Sequence, residues 1–130
     1  MKFDNKFEKL EKDFVDLLKS SFLSWEQIKQ KKKVIGVYFV YLKDKIIYIG
    51  STNNFNVRFG TDLLYKSTHT LHNKLLKEGN LSVNVKKFIK NKYKYKIKEC
   101  EDKLEAEALE HFAIWSIKPE YNKNIYITKK

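Results

Sequence analysis

The chain has 130 residues, room for one compact domain and not comfortably for two. Hydrophobic residues make up 42% and aromatic residues 15%, enough for a packed core, so wholesale disorder is excluded; one proline and four glycines exclude collagen-like, linker-like and loop-rich architectures. The formal charge is +11, from 27 basic and 16 acidic residues, which favours a polyanionic partner such as nucleic acid, although a lysine-rich proteome would produce the same excess.

From the N-terminus, Phe3, Phe7, Leu10, Phe14, Leu17 and Leu18 recur at steps of three and four between charges, the pattern of an amphipathic helix over residues 3–19. Five lysines and five acids balance across residues 1–20, so this helix reads as a packing or dimerising element, the candidate interface of a homodimer. Its early charges leave no secretory signal. Ser24 with Gln27 three residues on is a capping-box pattern that opens a short second helix through Lys31. Residues 1–33 are therefore expected to form an N-terminal helical extension to a domain over 34–130.

The run from Val34 to Leu42 is rich in β-branched and aromatic residues and, at nine residues, far too short to span a membrane. With a polar turn at Lys43-Asp44-Lys45 and a second strand ending at Gly50, it predicts a β-hairpin. Asn53 or Asn54 caps a helix to about Tyr65, and another covers His69 to Lys77 and stops at Gly79. Residues 81–91 fit helix or strand. Lys94 to Glu101 alternates charged residues with Tyr, Ile and Cys, a third strand with one wet face. Its Cys100 is the only cysteine, cannot close an intramolecular disulfide and fits a reducing, cytoplasmic setting. Asp102 caps a helix from Lys103 to about Ile117, which Pro119 ends. The expected fold class is α+β, a small three-stranded antiparallel sheet flanked by helices.

The charge is unevenly spread. Lys31-Lys32-Lys33 closes the extension, seven lysines and no acid fill residues 86–98, and six acids face only Lys103 in residues 99–110. Such polarity suits a protein that grips phosphates with one surface and holds a cation with another; a solvated face beside a salt-bridged helix is the plainer account. Glu110 stands out, because its helical neighbours Ala106, Ala113, Ile114 and Ile117 form an apolar or small-residue stripe. A carboxylate there is costly unless protonated, paired or bound to a cation. One with few companions suits Mg²⁺, which takes one or two protein oxygens and keeps its waters; a buried ion pair with Arg58 is the alternative. Glu101, Glu105 and Glu107 read as solvated. Arg58 is the only arginine among the 27 basic residues, which suggests a site needing a planar, permanently charged fork for a phosphodiester. His69 and His72, with one distant cysteine, make little of a zinc site.

Gly36-Val37-Tyr38 and Tyr48-Ile49-Gly50 stand nine residues apart across the hairpin, Arg58 follows Tyr48 by ten, and Glu110 is followed by Pro119-Glu120-Tyr121-Asn122. In this the chain resembles the GIY-YIG nuclease superfamily from about Ile35 to Asn122, with Val replacing Ile in the first triplet. Ser51-Thr52 and His72-Asn73-Lys74 also fit many members. The resemblance implies a Mg²⁺-dependent DNA endonuclease, Mn²⁺ substituting, in which Tyr38, Tyr48, Arg58, Glu110 and Asn122 form the catalytic set. Glu110 would be the metal ligand, Tyr48 the base that takes a proton from the attacking water, and Tyr38 the residue that orients water and phosphate. Asn122 would brace the metal side; a turn role after Pro119 serves it nearly as well. Gly36 and Gly50 would allow close backbone approach near the phosphate. Where many members carry His or Tyr four residues after the arginine, this chain has Asp62, so that either His69 or His72 replaces the function or Asp62 contributes differently.

Lys31, Lys32, Lys33, His69, His72, Lys86, Lys87, Lys90 and Lys94 are the expected contacts to DNA, double-stranded, with no membrane partner. A stand-alone restriction-type or phage- or mobile-element-type enzyme is the leading expectation. A structure-specific repair or recombination nuclease and a catalytically inactive basic nucleic-acid-binding domain are the alternatives.

Overall fold

Residues 2–59 and 88–122 are described by the structure, a computed structural model. Helices α1 (Lys2–Lys19) and α2 (Trp25–Lys29) precede strands β1 (Ile35–Leu42) and β2 (Lys45–Thr52). A short helical turn α3 (Phe55–Val57), a π-helical turn at Phe88–Lys92, strand β3 (Lys94–Cys100), helix α4 (Lys103–Ile117) and a 3-10 turn at Glu120–Asn122 follow. The three strands form an antiparallel sheet in the order β2-β1-β3, with β1 central, which is the expected α+β arrangement.

Local chemistry sets most of the boundaries. The Ser24 hydroxyl accepts from the Gln27 amide and the Gln27 side chain accepts back from the Ser24 amide, the predicted capping box. The helix it opens ends at Lys29 rather than Lys31, because the Lys31 amide turns back to the Ile28 carbonyl. The hairpin turn is tighter than expected: Lys45 belongs to β2, and Lys43 takes the left-handed conformation (φ 58°). β2 also runs two residues past Gly50, to Thr52. Of the two cap candidates Asn54 is the one used, its side chain accepting from the Asn56 amide and from that of Lys33. Asp102 caps α4 by accepting from the Glu105 amide, and a left-handed Lys118 (φ 54°) ends it before Pro119, as the sequence predicts. The expected helix from His69 to Lys77 lies outside the described residues.

β1 is covered on both faces. Tyr38 and Val40 face one layer with Trp25, Ile28, Phe55 and Phe59, while Val37, Phe39 and Tyr41 face the other with Leu17, Leu109, Ala113 and Ile114. On this second face Phe14 of α1 meets Phe39 and Phe112 edge-on, with ring centroids 6.3 and 5.4 Å apart. The apolar stripe of α1 expected to mediate a homodimer is thus packed, from Leu10 to Leu18, against the chain's own sheet and α4. Asp13, 5% exposed, is held by Lys9 (2.8 Å) and Lys98 (3.6 Å), and Lys9 also reaches Glu105 (2.8 Å). These hydrogen bonds, that of Asp13 foremost, hold the Lys9 ammonium above the ordinary lysine range. They fasten α1 to β3 and α4 together.

Each edge of the sheet is met at one residue by another part of the chain. At the outer side of β3, Leu23 and Tyr95 exchange two backbone hydrogen bonds (2.7 and 3.1 Å). The β3 face expected to be wet is half-covered: Lys96 donates to the Leu18 carbonyl at the end of α1 (2.5 Å), lying over the Phe22 and Tyr41 rings, and Lys98 joins Asp13. On the outer side of β2, the strand that carries Tyr48, Asn122 meets Ile49. Among the described residues no helix is long and apolar enough to cross a membrane.

Candidate active site

The Ile49 amide donates to Asn122 Oδ1 (2.9 Å) and Asn122 Nδ2 donates to the Ile49 carbonyl (3.0 Å). A primary amide thereby does for β2 what a further strand would do, satisfying a donor and an acceptor of one residue. Asn122 is 0% exposed, and the turn after Pro119 delivers it there. Asn122 thus sits in the turn expected after Pro119, and its side chain meets the backbone of Ile49. It fixes the backbone between Tyr48 and Gly50.

Gly50 lies opposite Tyr38 in the β1–β2 register. A Cβ on Gly50 would sit 2.5 Å from the Tyr38 hydroxyl oxygen, so the missing side chain is what lets the Tyr38 ring cross β2 toward the edge. Gly36 has a different reason: there a Cβ would strike the Lys98 carbonyl and the Phe55 ring, so packing within the sheet requires it rather than approach to a phosphate. Tyr48 is 7% exposed and its ring centroid lies 6.2 Å from that of Tyr38. Arg58 follows the Asn54-capped turn, between the buried rings of Phe55 and Phe59, and its Nη1 donates to the Tyr38 hydroxyl (3.2 Å). Burial raises the Tyr38 phenol above its ordinary value, opposed by the charge and hydrogen bond of Arg58 and by a hydrogen bond from Tyr48.

On the opposite face of β2, Ser51 Oγ donates to Glu110 Oε1 (2.7 Å). Glu110 is half-buried beside Ala106, Ala113 and Ile114, the stripe that the sequence marks as costly for a carboxylate. Burial raises its carboxyl, against the lowering effects of the Ser51 hydrogen bond and of the charges on His111 and Arg58. The alternative of a direct pair with Arg58 gives way to this arrangement: Glu110 bonds to Ser51, and Arg58 to Tyr38. Glu110 Oε2 has no hydrogen-bond partner among the described residues. A half-buried carboxylate with one oxygen engaged and the other open fits a hard cation such as Mg²⁺, which needs few protein oxygens and completes its shell with water and phosphate.

Ser51 is a site residue that the sequence reading does not single out. The alternation of β2 could have found it, since Ser51 must face away from Gly50 and toward α4. Glu107, read as solvated, lines a polar cleft with Ser51, Arg58 and Lys103. Glu105, read the same way, is held by Lys9 and accepts from the Glu101 amide.

Among the described residues, the expected DNA contacts fall in two places. Lys31, Lys32 and Lys33 are tied to the Arg58 turn through Asn54 and Asn56, although Lys31 pairs with Glu99 (2.9 Å). Lys90 and Lys94 lie toward the start of β3, over the rings of Trp25 (4.9 Å) and Phe22 (5.6 Å). Asp62, His69, His72, Lys86 and Lys87 are outside the described residues.

The three-stranded antiparallel sheet in the order β2-β1-β3 with its flanking helices is a GIY-YIG-like fold. Solved structures of the GIY-YIG N-terminal endonuclease domain of UvrC from Thermotoga maritima are similar to it. The form bound to magnesium, its catalytic divalent cation, is 22% identical, covers 75% of this chain and 92% of that one, and has a TM-score of 0.53. A point mutant bound to its catalytic divalent cation is 22% identical over 75% and 91% of the two chains, again with a TM-score of 0.53. No protein-family model and no curated protein matches the chain. At this identity the likeness establishes the fold.

Proposed function

We propose that the chain is a divalent-metal-dependent endonuclease that hydrolyses phosphodiester bonds in double-stranded DNA, with Mg²⁺ as its cation and Mn²⁺ able to replace it. One observation carries this reading: the Tyr38–Arg58 hydrogen bond, whose Tyr38 hydroxyl lies against Gly50 of β2, stands on one side of that strand, and the bond from its next residue, Ser51, to Glu110 on the other. A binding module has no need of a half-buried carboxylate with an open oxygen. The endonuclease activity of the similarly folded UvrC domain supports the same chemistry.

In this reading Tyr48, acting as its phenolate, takes the proton of the attacking water and becomes the phenol. Tyr38 is the weaker candidate for that task, since burial makes its phenol harder to ionise and its oxygen already accepts from Arg58. Tyr38 instead anchors the guanidinium, which stabilises the charge that develops on the phosphoryl oxygens. Glu110, oriented by Ser51, would hold the cation. When bound, the cation supplies positive charge to the phosphate and to the leaving 3′ oxygen. Residues 34–130 carry this chemistry and residues 1–33 brace the sheet.

Glu110→Ala tests the reading. The variant is expected to lose cleavage by a factor of about 10³ or more while binding duplex DNA in EDTA as the unmodified chain does. A fully active variant would overturn the assignment. We take the enzyme to be of stand-alone restriction type or of phage or mobile-element type. Supercoiled, branched and linear substrates compared in Mg²⁺ and in EDTA check this, since preference for branched DNA would mark a structure-specific nuclease, and retention without nicking an inactive binding domain.

A further inference from the structure

Beside the proposed catalytic centre lies a polar cleft of about 260 Å³, walled by Ser51, Thr52 and Asn53 at the end of β2, by Arg58, and by Lys103 and Glu107 from the first turns of α4. Two of these residues belong to the proposed centre, Ser51 through its bond to Glu110 and Arg58 through its bond to Tyr38, so the cleft adjoins it. Lys103 belongs to nothing described so far. It is exposed, and among the described residues it pairs with no carboxylate, although Glu107 stands four residues on. A lysine preceding a glutamate by four is the weaker order for a helical pair, and a cation in the first turn works against the helix's own field. Local helix energetics therefore give no reason for a lysine here. An anion in the cleft does.

We infer that the cleft is the subsite for a phosphate neighbouring the scissile one, with Lys103 as its contact, an inference that rests on the nuclease reading above. Among the described residues that line the cleft, two cations, Arg58 and Lys103, stand with one acid, Glu107. The strand being cut then runs from the Tyr38–Glu110 centre, past Arg58, to the start of α4. Lys103 acts there as a point charge on a backbone phosphate and confers affinity without sequence preference.

The test measures binding of the full chain to a fluorescein-labelled DNA duplex in EDTA, as a function of salt. Lys103→Ala is expected to weaken binding roughly 8-fold near 0.1 M salt and to reduce the slope of log affinity against log salt by about 0.9, the signature of one lost phosphate contact. Lys103→Arg should restore both values. Lys12→Ala removes the same charge from the exposed side of α1, where Lys12 pairs with Asp16 (3.0 Å), and should bind as the unmodified chain does. Unchanged affinity and slope in Lys103→Ala, or an equal loss in Lys12→Ala, would overturn the subsite. An unmodified chain that neither binds nor cleaves duplex DNA would instead overturn the nuclease reading itself.

Discussion

Asn122→Ala removes two hydrogen bonds at a fully buried position and leaves the Ile49 amide and carbonyl without partners. Each lost bond is worth about 1 kcal/mol net, and an unsatisfied buried backbone group costs about 1–3 kcal/mol; with some relaxation and water entry the sum is about 3 kcal/mol. For a domain of this size that is a large share of the total stability. With a urea m-value of about 1.5 kcal/mol/M, the unfolding midpoint should fall by about 2 M, read by far-UV circular dichroism and tryptophan fluorescence. Asn122→Asp is the sharper perturbation. Aspartate can still accept from the Ile49 amide, but when ionised it cannot donate to the Ile49 carbonyl and sets oxygen against oxygen. Burial among such groups raises its carboxyl in the folded state, so stability should be lost as pH rises through that raised value and recovered as the group protonates. The midpoint of Asn122→Asp should therefore improve relative to the unmodified chain between about pH 8 and about pH 4. A midpoint for Asn122→Ala within error of the unmodified chain, or no pH dependence in the Asp difference, would refute the view that this amide holds β2 at Ile49.

Gly50→Ala should displace the Tyr38 ring and break its bond to Arg58, because the added Cβ falls 2.5 Å from the Tyr38 oxygen. Overpacking of this kind costs about 2 kcal/mol, so cleavage should collapse while a cooperative thermal transition persists, and retention of full activity would count against the site geometry. Burial, helped by Glu105 and Asp13, pushes the Cys100 thiol up to about 11 from 9.0. Iodoacetamide at pH 8 should therefore alkylate it about 100-fold more slowly than a free thiol, with the rate climbing as pH approaches that value. Because the folded chain holds this proton more tightly, the thiol contributes stability that is lost as pH rises above 9.0 toward about 11. Alkylation at the rate of a small thiol would contradict it.

What a few neighbouring residues can decide was legible in the sequence. The Ser24–Gln27 box, the hairpin, the Asp102 cap and the stop before Pro119 all involve groups within one or two turns of each other, and all appear in the structure. Glu110 was legible too, since helical periodicity alone sets it among small and apolar residues. Periodicity tells which face a residue lies on, and it is silent about what stands opposite. The Ser51–Glu110 bond joins residues 59 apart, and the Asn122–Ile49 pair joins residues 73 apart. Neither leaves a trace in local pattern.

The lysines show the same divide. Lys90, Lys94, Lys96 and Lys98 read as one basic stretch in the sequence; in three dimensions Lys96 and Lys98 hold α1 in place and Lys90 and Lys94 cover aromatic rings, while Lys103, from the acidic run that follows, lines the cleft with Arg58. The α1 stripe likewise reads as a surface awaiting a partner, and the fold supplies that partner from its own sheet. By itself the sequence determined the elements, their order and the residues whose chemistry is out of keeping with their surroundings, because those follow from short-range sterics, capping and amphipathic spacing. Only the tertiary structure decided which charges are free and which hydroxyl, amide or guanidinium each of those residues meets, because such pairings arise when distant segments are packed against one another.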